Sequence, residues 1–271
     1  MLFADLELAR RLEKKEMQSI INIAAGFAKV YPGIGAELNL LDEGYAIFTG
    51  RNQPINRVFN LGMSGPLKAE TLLQAEDFYH KLEMPTEIEA CPLADTSLFK
   101  LLAQRQYTAQ RFINVFFRSL EDYEPAAEVV SNIKIRQATA SEDELWARAV
   151  GVGFAGAGEN LTDSQYALMK AIFHRPDALL FLAWVDDEIA GGGLLSMEDG
   201  VAGLSTASTL TQFWERGVQT ALLQARLTYA VQSGCDLATI HATPGSPSQR
   251  NIQRAGFQVA YTNVEMLREV F

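Results

Sequence analysis

Apolar positions divide the chain into a run of helices and strands. Leu6, Leu8, Leu12, Met17, Ile20, Ile21, Ile23 and Ala24 recur at helical spacing and predict a helix over residues 1–30. Tyr31-Pro32-Gly33-Ile34-Gly35 breaks it. Short apolar alternations predict strands at 39–41, 44–49 and 56–63, with Arg51-Asn52-Gln53-Pro54 as a turn. Gly65-Pro66 starts a helix that runs to about Lys81, with Pro66 in its first turn. A strand at 85–90, a helix from Cys91-Pro92 through Leu102, and a long strand or strand pair over 107–120 complete the first half.

The acidic segment Glu121-Asp122-Tyr123-Glu124-Pro125-Ala126-Ala127-Glu128 reads as a linker. The expected division is a first domain at 1–122, a linker at 123–131 and a second domain at 132–271. The second begins with a strand at 133–136, and Ser141-Glu142-Asp143-Glu144 opens a helix as a capping box. Residues 151–158 read as a glycine-rich loop, followed by a helix at 163–174 and a strand at 179–185. Asp186-Asp187 turns into a strand at 188–197, interrupted by Gly191-Gly192-Gly193, and a further strand at 201–210 follows. Next comes an amphipathic helix marked by Val218, Ala221, Leu222, Ala225, Leu227 and Ala230 and stopped by Gly234. A strand at 235–242, a helix beginning at Pro247, and a strand after Gly256-Phe257 close the chain.

The two halves share a pattern. Leu72-Leu73-Gln74-Ala75 matches Leu222-Leu223-Gln224-Ala225, and Tyr79 matches Tyr229, both at one offset (222 − 72 = 229 − 79 = 150). Cys91-Pro92 then lines up with Thr243-Pro244, Tyr107 with Phe257, and Asn114-Val115 with Asn263-Val264. Matches in the same order argue for two copies of one fold.

Gly217 permits close approach of a ligand to the backbone at the start of the long helix. First-turn N–H groups, expected from about Glu215 to Thr220, lack intrahelical partners and suit a phosphate. This stretch resembles the acetyl-CoA motif of the GNAT superfamily, Gln/Arg-x-x-Gly-x-Gly/Ala after a strand. Trp214, Gly217 and Gln219 occupy its positions, and the glycine is the one that matches. Thr243-Pro244-Gly245-Ser246, then Ser248-x-x-Asn251-x-x-Arg254-x-Gly256-Phe257, resembles the helix and strand that close the coenzyme site in one branch of that family.

The resemblance implies an α/β fold with a mixed sheet, as two tandem GNAT-like domains. It implies pyrophosphate on Glu215, Arg216, Gly217, Val218, Gln219 and Thr220, and pantetheine along Ser208, Thr209 and Leu210. Ser248 and Asn251 are further coenzyme contacts, although Ser246 and Ser248 equally suit a helix cap. It also implies transfer of an acetyl group from acetyl-CoA to an amine, with an N–H near Thr209 polarising the carbonyl. Shifted back by 150 residues, the turn falls on Gly65-Pro66-Leu67-Lys68-Ala69-Glu70, where proline removes a donor and Glu70 adds negative charge. The first copy therefore resembles a degenerate one that keeps the fold without the coenzyme.

The family often places a proton-donating tyrosine five residues before the phenylalanine of Gly-Phe; here that position is Ile252 (257 − 5). Tyr261 is a substitute or a core residue, and Glu198, beside Asp199, is a base or a turn residue. Arg216 is a phosphate ligand or plain surface, Trp214 stacks on the coenzyme or packs, and His241 reads as structural.

Composition narrows the setting. A net charge of −10 disfavours a nucleic-acid partner. Cys91 and Cys235 fit no metal-ligand spacing and read as reduced thiols of a cytoplasmic protein. An early acidic residue, Asp5, argues against a signal peptide, and no apolar run has the length of a membrane span. No metal is expected, and a homodimer is left open. Gly151-x-Gly153-x-x-Gly156 has the letters of a dinucleotide fingerprint but follows a helix rather than a strand. The rival reading is a non-catalytic acyl-CoA sensor or interaction module.

Overall fold

A computed structural model describes residues 4–124, 132–156 and 160–269. Along the chain run α1 (Leu6–Val30), β1 (Glu37–Leu41), β2 (Gly44–Phe48), β3 (Val58–Phe59), α2 (Ala69–Lys81), β4 (Thr86–Ala90), α3 (Thr96–Gln104) and β5 (Thr108–Ser119). Then follow β6 (Ile133–Gln137), α4 (Asp143–Ala155), α5 (Asp163–Phe173), β7 (Leu179–Val185), β8 (Glu188–Glu198) and β9 (Val201–Thr209). The last elements are α6 (Val218–Gln232), β10 (Leu237–Ala242), α7 (Pro247–Arg254) and β11 (Gln258–Arg268).

The residues form two compact units. One comprises Met1–Ala24, Ile34–Phe117 and His241–Phe271; the other comprises Ala25–Gly33 and Arg118–Ile240. In the first, the strands are ordered β1-β2-β3-β4-β11-β5. β1, β2 and β3 form an antiparallel meander, and β3 and β4 are parallel with α2 between them. β11, the last strand of the chain, lies antiparallel to both β4 and β5. In the second unit the order is β10-β9-β8-β7-β6. β7, β8 and β9 again form an antiparallel meander, and β9 and β10 are parallel with α6 between them. The same internal topology thus occurs in each unit, with parallel and antiparallel pairs in both, in an α/β fold.

Each core grows from the apolar spacing of its helices. Leu72 and Leu222, matched in the sequence repeat, are both fully buried. Tyr79 is fully buried, donating to Ile47 O at 2.7 Å and accepting from Ile47 N at 3.0 Å. Its counterpart Tyr229 instead meets Phe181 edge-on, at 6.1 Å between ring centres. Trp146 is fully buried in the second unit and donates to Phe181 O at 3.2 Å.

Several local expectations are corrected. Pro66 stands outside α2, which starts at Ala69, and the strand expected over 56–63 shrinks to Val58–Phe59. The helix expected from Cys91-Pro92 starts at Thr96, because the Asp95 side chain accepts from Ser97 N. The capping box forms between Thr139 and Glu142 rather than at Ser141, since Glu142 bonds both Thr139 N and Arg136. Residues 151–155 continue α4 instead of forming a loop. Most of the expected linker, 125–131, lies outside the described residues. Both cysteines are buried, and neither is in a disulfide. Among the described residues no helix is long and apolar enough to cross a membrane, and no group of three metal-ligating side chains gathers.

Candidate functional site

The candidate site lies at the end of β9, in the second unit. β8 and β9 pair Gly191 with Thr209 and Gly192 with Ser208, but Leu194 pairs with Ser205. Between these pairs β8 advances two residues (194 − 192) and β9 three (208 − 205). The extra residue is a bulge, and Thr206 absorbs it at φ 47°. The three glycines of β8 follow from this crowding. A Cβ on Gly191 would run into the carbonyl of Ser208, and one on Gly192 would stand 2.7 Å from Phe181 O. One on Gly193 would stand 3.1 Å from both Ala207 Cβ and the guanidinium carbon of Arg226.

The strand end is pinned. Ser208 and Thr209 are buried. Ser208 Oγ donates to Val150 O on α4 at 2.7 Å, and α4 approaches so closely that a side chain on Gly153 would run into that hydroxyl. Thr209 O accepts from Trp214 Nε1 at 2.9 Å, and Thr209 Oγ1 accepts from Gln219 Nε2 at 2.9 Å. Leu210 N donates to Ala190 O at 2.9 Å. Trp214 and Gln219, where the sequence departs from the GNAT motif, are therefore the side chains that converge on Thr209.

The turn follows directly. Thr211–Phe213 form one 3-10 turn, Glu215 takes φ 61°, and Gly217 takes φ 84° as N-cap of α6. A left-handed residue at this point favours glycine. No side chain caps the helix at Gly217. The first-turn N–H groups at Val218, Gln219 and Thr220 have no intrahelical acceptor and carry the positive end of the helix dipole. Glu215 and Arg216 precede the helix rather than opening it. A Cβ on Gly217 would meet only Ile133 Cδ1, at 3.8 Å, so the backbone is open to a ligand. Arg216 bonds Asp186 at 2.9 Å and lies over the Phe213 ring at 5.5 Å, which holds a guanidinium beside the turn. Hydrogen bonds from Asn132 and Arg216 lower the Asp186 carboxyl.

The remaining candidates belong to other elements. Ser248 and Asn251 are exposed on α7, in the first unit. Ser246 is the helix cap, accepting from Gln249 N at 3.2 Å, so Ser248 is not. Ile252 is the buried residue of α7, which explains an aliphatic side chain there. Glu198 pairs with Val201 beside the β8–β9 hairpin turn. Val201 and Thr209 lie at opposite ends of β9, on the order of 26 Å apart at the usual strand rise, so Glu198 cannot serve chemistry at Thr209. Tyr261, in the first unit, is buried and donates to Glu13 Oε1 at 2.9 Å; burial and the Glu13 charge raise its pKa. His241 Nδ1 stands 3.7 Å from Glu16.

Glu13 and Arg226 are among the buried ionisable groups that the sequence did not reveal. Glu13 accepts from Tyr261 and, at 2.9 Å, from Asn263 Nδ2, which also donates to Glu89 at 3.1 Å. Burial, then the neighbouring Glu89, pushes the Glu13 carboxyl up to about 7. Arg226 is 1% exposed on α6. Each stands on the apolar stripe of its helix, Glu13 four residues before Met17 and Arg226 four after Leu222, and that placement was the available signal.

Residues 142–257 match the model of the acetyltransferase (GNAT) family. Among proteins of curated function, none matches the sequence. Solved structures share the fold. A GCN5-related N-acetyltransferase from Kribbella flavida superposes with TM-score 0.59 at 16% identity, over 93% of this chain and 96% of that one. A GCN5-related N-acetyltransferase from Sphaerobacter thermophilus gives 0.55 at 22% identity over 74% of this chain, which spans 65% of that chain's length. A tandem GNAT protein from the clavulanic acid biosynthesis pathway gives 0.57 at 13% identity, over 82% of this chain and 72% of that one.

Proposed function

We propose that the second unit binds acetyl-CoA and transfers its acetyl group to a primary amine of a small-molecule acceptor. The observation that carries this reading is the junction of β9 with α6. A bulged, pinned strand end, Ser208–Thr209–Leu210, runs within one short turn into an uncapped helix start at a left-handed Gly217. The family match over 142–257 spans that whole junction.

In this reading the N–H groups of Val218, Gln219 and Thr220 hold the pyrophosphate, with Glu215 and Arg216 in the turn beside them. The open face of Gly217 admits it without displacing a side chain. Backbone groups of Ser208, Thr209 and Leu210 align the pantetheine arm. The coenzyme supplies an activated acyl carbonyl, and a strand N–H near Thr209 polarises it toward an uncharged amine. Water serves the proton transfers, because Glu198 is remote from Thr209 and Tyr261 is engaged by Glu13 in the other unit. Ser248 and Asn251 remain proposed coenzyme contacts on sequence grounds. The first copy, 1–122, is proposed to be a degenerate partner of the second, 132–271. Cys91 and Cys235, neither of them in a disulfide, suit a cytoplasmic setting.

Calorimetric titration with acetyl-CoA and with free CoA tests the proposal, followed by thiol release with a panel of amines. One site per chain and amine-dependent thiol release are expected. Binding without transfer to any amine would favour a non-catalytic acyl-CoA sensor, for which the absence of an acid or base at Thr209 among the residues named above speaks. No binding would reduce the turn to a plain helix start.

A further inference from the structure

Arg226 is a fully buried cation whose partners are backbone carbonyls. Its Nε donates to Leu222 O, one turn back on α6, at 3.0 Å. Its Nη1 donates to Leu194 O on β8 at 2.9 Å and to Ser205 O on β9 at 3.3 Å. Leu194 and Ser205 are the register pair that ends the bulge. Burial alone lowers the guanidinium pKa, to about 10, so the group stays charged near neutral pH.

Ordinary packing does not call for such a residue, since burying a charge is costly unless it gains strong hydrogen bonds. The chain itself holds a comparison. At the equivalent helix position of the first copy, 226 − 150 = 76, stands Glu76, also buried. Glu76 is met by the side chains of Arg105, Arg268 and Tyr107 rather than by the backbone of a strand. The corresponding strand there, β3, has two residues and no bulge. Arg226 therefore accompanies the bulge, not the fold. Gly193 confirms the fit from the other side, since a Cβ there would press on the guanidinium carbon at 3.1 Å.

We infer that Arg226 is a positioning residue: it locks the bulge of β9 to the body of α6, so that the strand end at Thr209 and the turn at Gly217 are held at one fixed spacing. A ligand that must touch both places at once needs that spacing, whereas one touching the turn alone does not. The inference rests on the coenzyme reading above, in which pyrophosphate lies on the turn and pantetheine along the strand.

The test uses two probes, CoA and its fragment 3′-phosphoadenosine 5′-diphosphate, which keeps the pyrophosphate and lacks the pantetheine arm. In Arg226→Met, CoA affinity is expected to fall about tenfold or more while fragment affinity stays within about twofold of wild type. Gly193→Ala, which crowds the guanidinium without removing it, is expected to shift the same ratio in the same direction and covers the case in which Arg226→Met does not fold. Arg226→Lys, with a cation but fewer donors, should fall between. An unchanged ratio of CoA to fragment affinity in a folded variant would overturn the role of Arg226 and leave the coenzyme reading standing. A wild-type protein that binds neither probe would overturn both.

Discussion

The indole N–H of Trp214 donates to the carbonyl of Thr209 across 2.9 Å, tying the first residue after the 3-10 turn to the last residue of β9. The ring is nonetheless half exposed, at 54%. A side chain that is anchored at one end and open to solvent at the other reports on anything that settles on this turn. The other two tryptophans lie elsewhere, Trp146 fully buried and Trp184 against Arg136. Addition of CoA is therefore expected to change the intrinsic fluorescence, and Trp214→Phe to abolish most of that change. A full response in Trp214→Phe would place the ligand away from Thr209.

Glu13 makes the stability of the first unit depend on pH. Its carboxyl is raised from 4.5 to about 7 by burial and by Glu89. A raised folded-state pKa means that the folded form holds the proton more tightly. The contribution is full below the ordinary carboxylate range and is lost as pH rises through about 7. Glu13→Gln, which keeps an acceptor for Tyr261 and Asn263, should remove that dependence. Between pH of about 5 and about 8 the variant should gain on wild type by an amount on the order of 2–3 kcal/mol at most. Parallel denaturation curves at the two pH values check it, and an equal pH dependence in both proteins would count against the account.

Much of this architecture was legible. The strand at 179–185 is an apolar run closed by Asp186-Asp187, and β7 has those bounds. The turn at Gly217 was legible because a glycine between strand and helix leaves a mark in sequence, and its φ is 84°, whereas Ser208 and Thr209 were singled out by the family resemblance alone. Pairing partners leave no such mark. β11 lies between β4 and β5 because of register and burial, and alternation in Gln258–Arg268 does not say which strand it joins. Thr139 rather than Ser141 forms the capping box, since the choice depends on where Glu142 meets Arg136. Glycines 191 to 193 read as an interruption, and only the approach of Ser208, Phe181 and Arg226 explains them.

Gly153 tests the support under the strand end. Its hydrogen faces Ser208 Oγ, which donates to Val150 O. Gly153→Ala places a methyl where the hydroxyl stands, so helix or strand must yield. A loss of about 1–3 kcal/mol is expected from overpacking, and it should shrink in the double variant with Ser208→Ala. Thermal denaturation of the four proteins forms the cycle. Strict additivity would mean that the two residues do not meet.

Gly217 decides whether the turn is a ligand site. Its φ of 84° taxes any other residue, by about 1–2 kcal/mol. The direction of a Cβ is open, with Ile133 Cδ1 at 3.8 Å, so a side chain fits sterically. Gly217→Ala and Gly217→Glu therefore carry the same backbone strain, and both should fold with a modestly lowered midpoint. They differ in charge. Glutamate sets a carboxylate in front of the uncapped N–H groups of Val218 to Thr220, where an anion would lie. CoA binding is expected to survive in Gly217→Ala and to vanish in Gly217→Glu, read by calorimetry on protein whose fold is verified by circular dichroism. If Gly217→Glu binds CoA as the alanine variant does, no phosphate occupies this turn, and the helix start has a purely structural role.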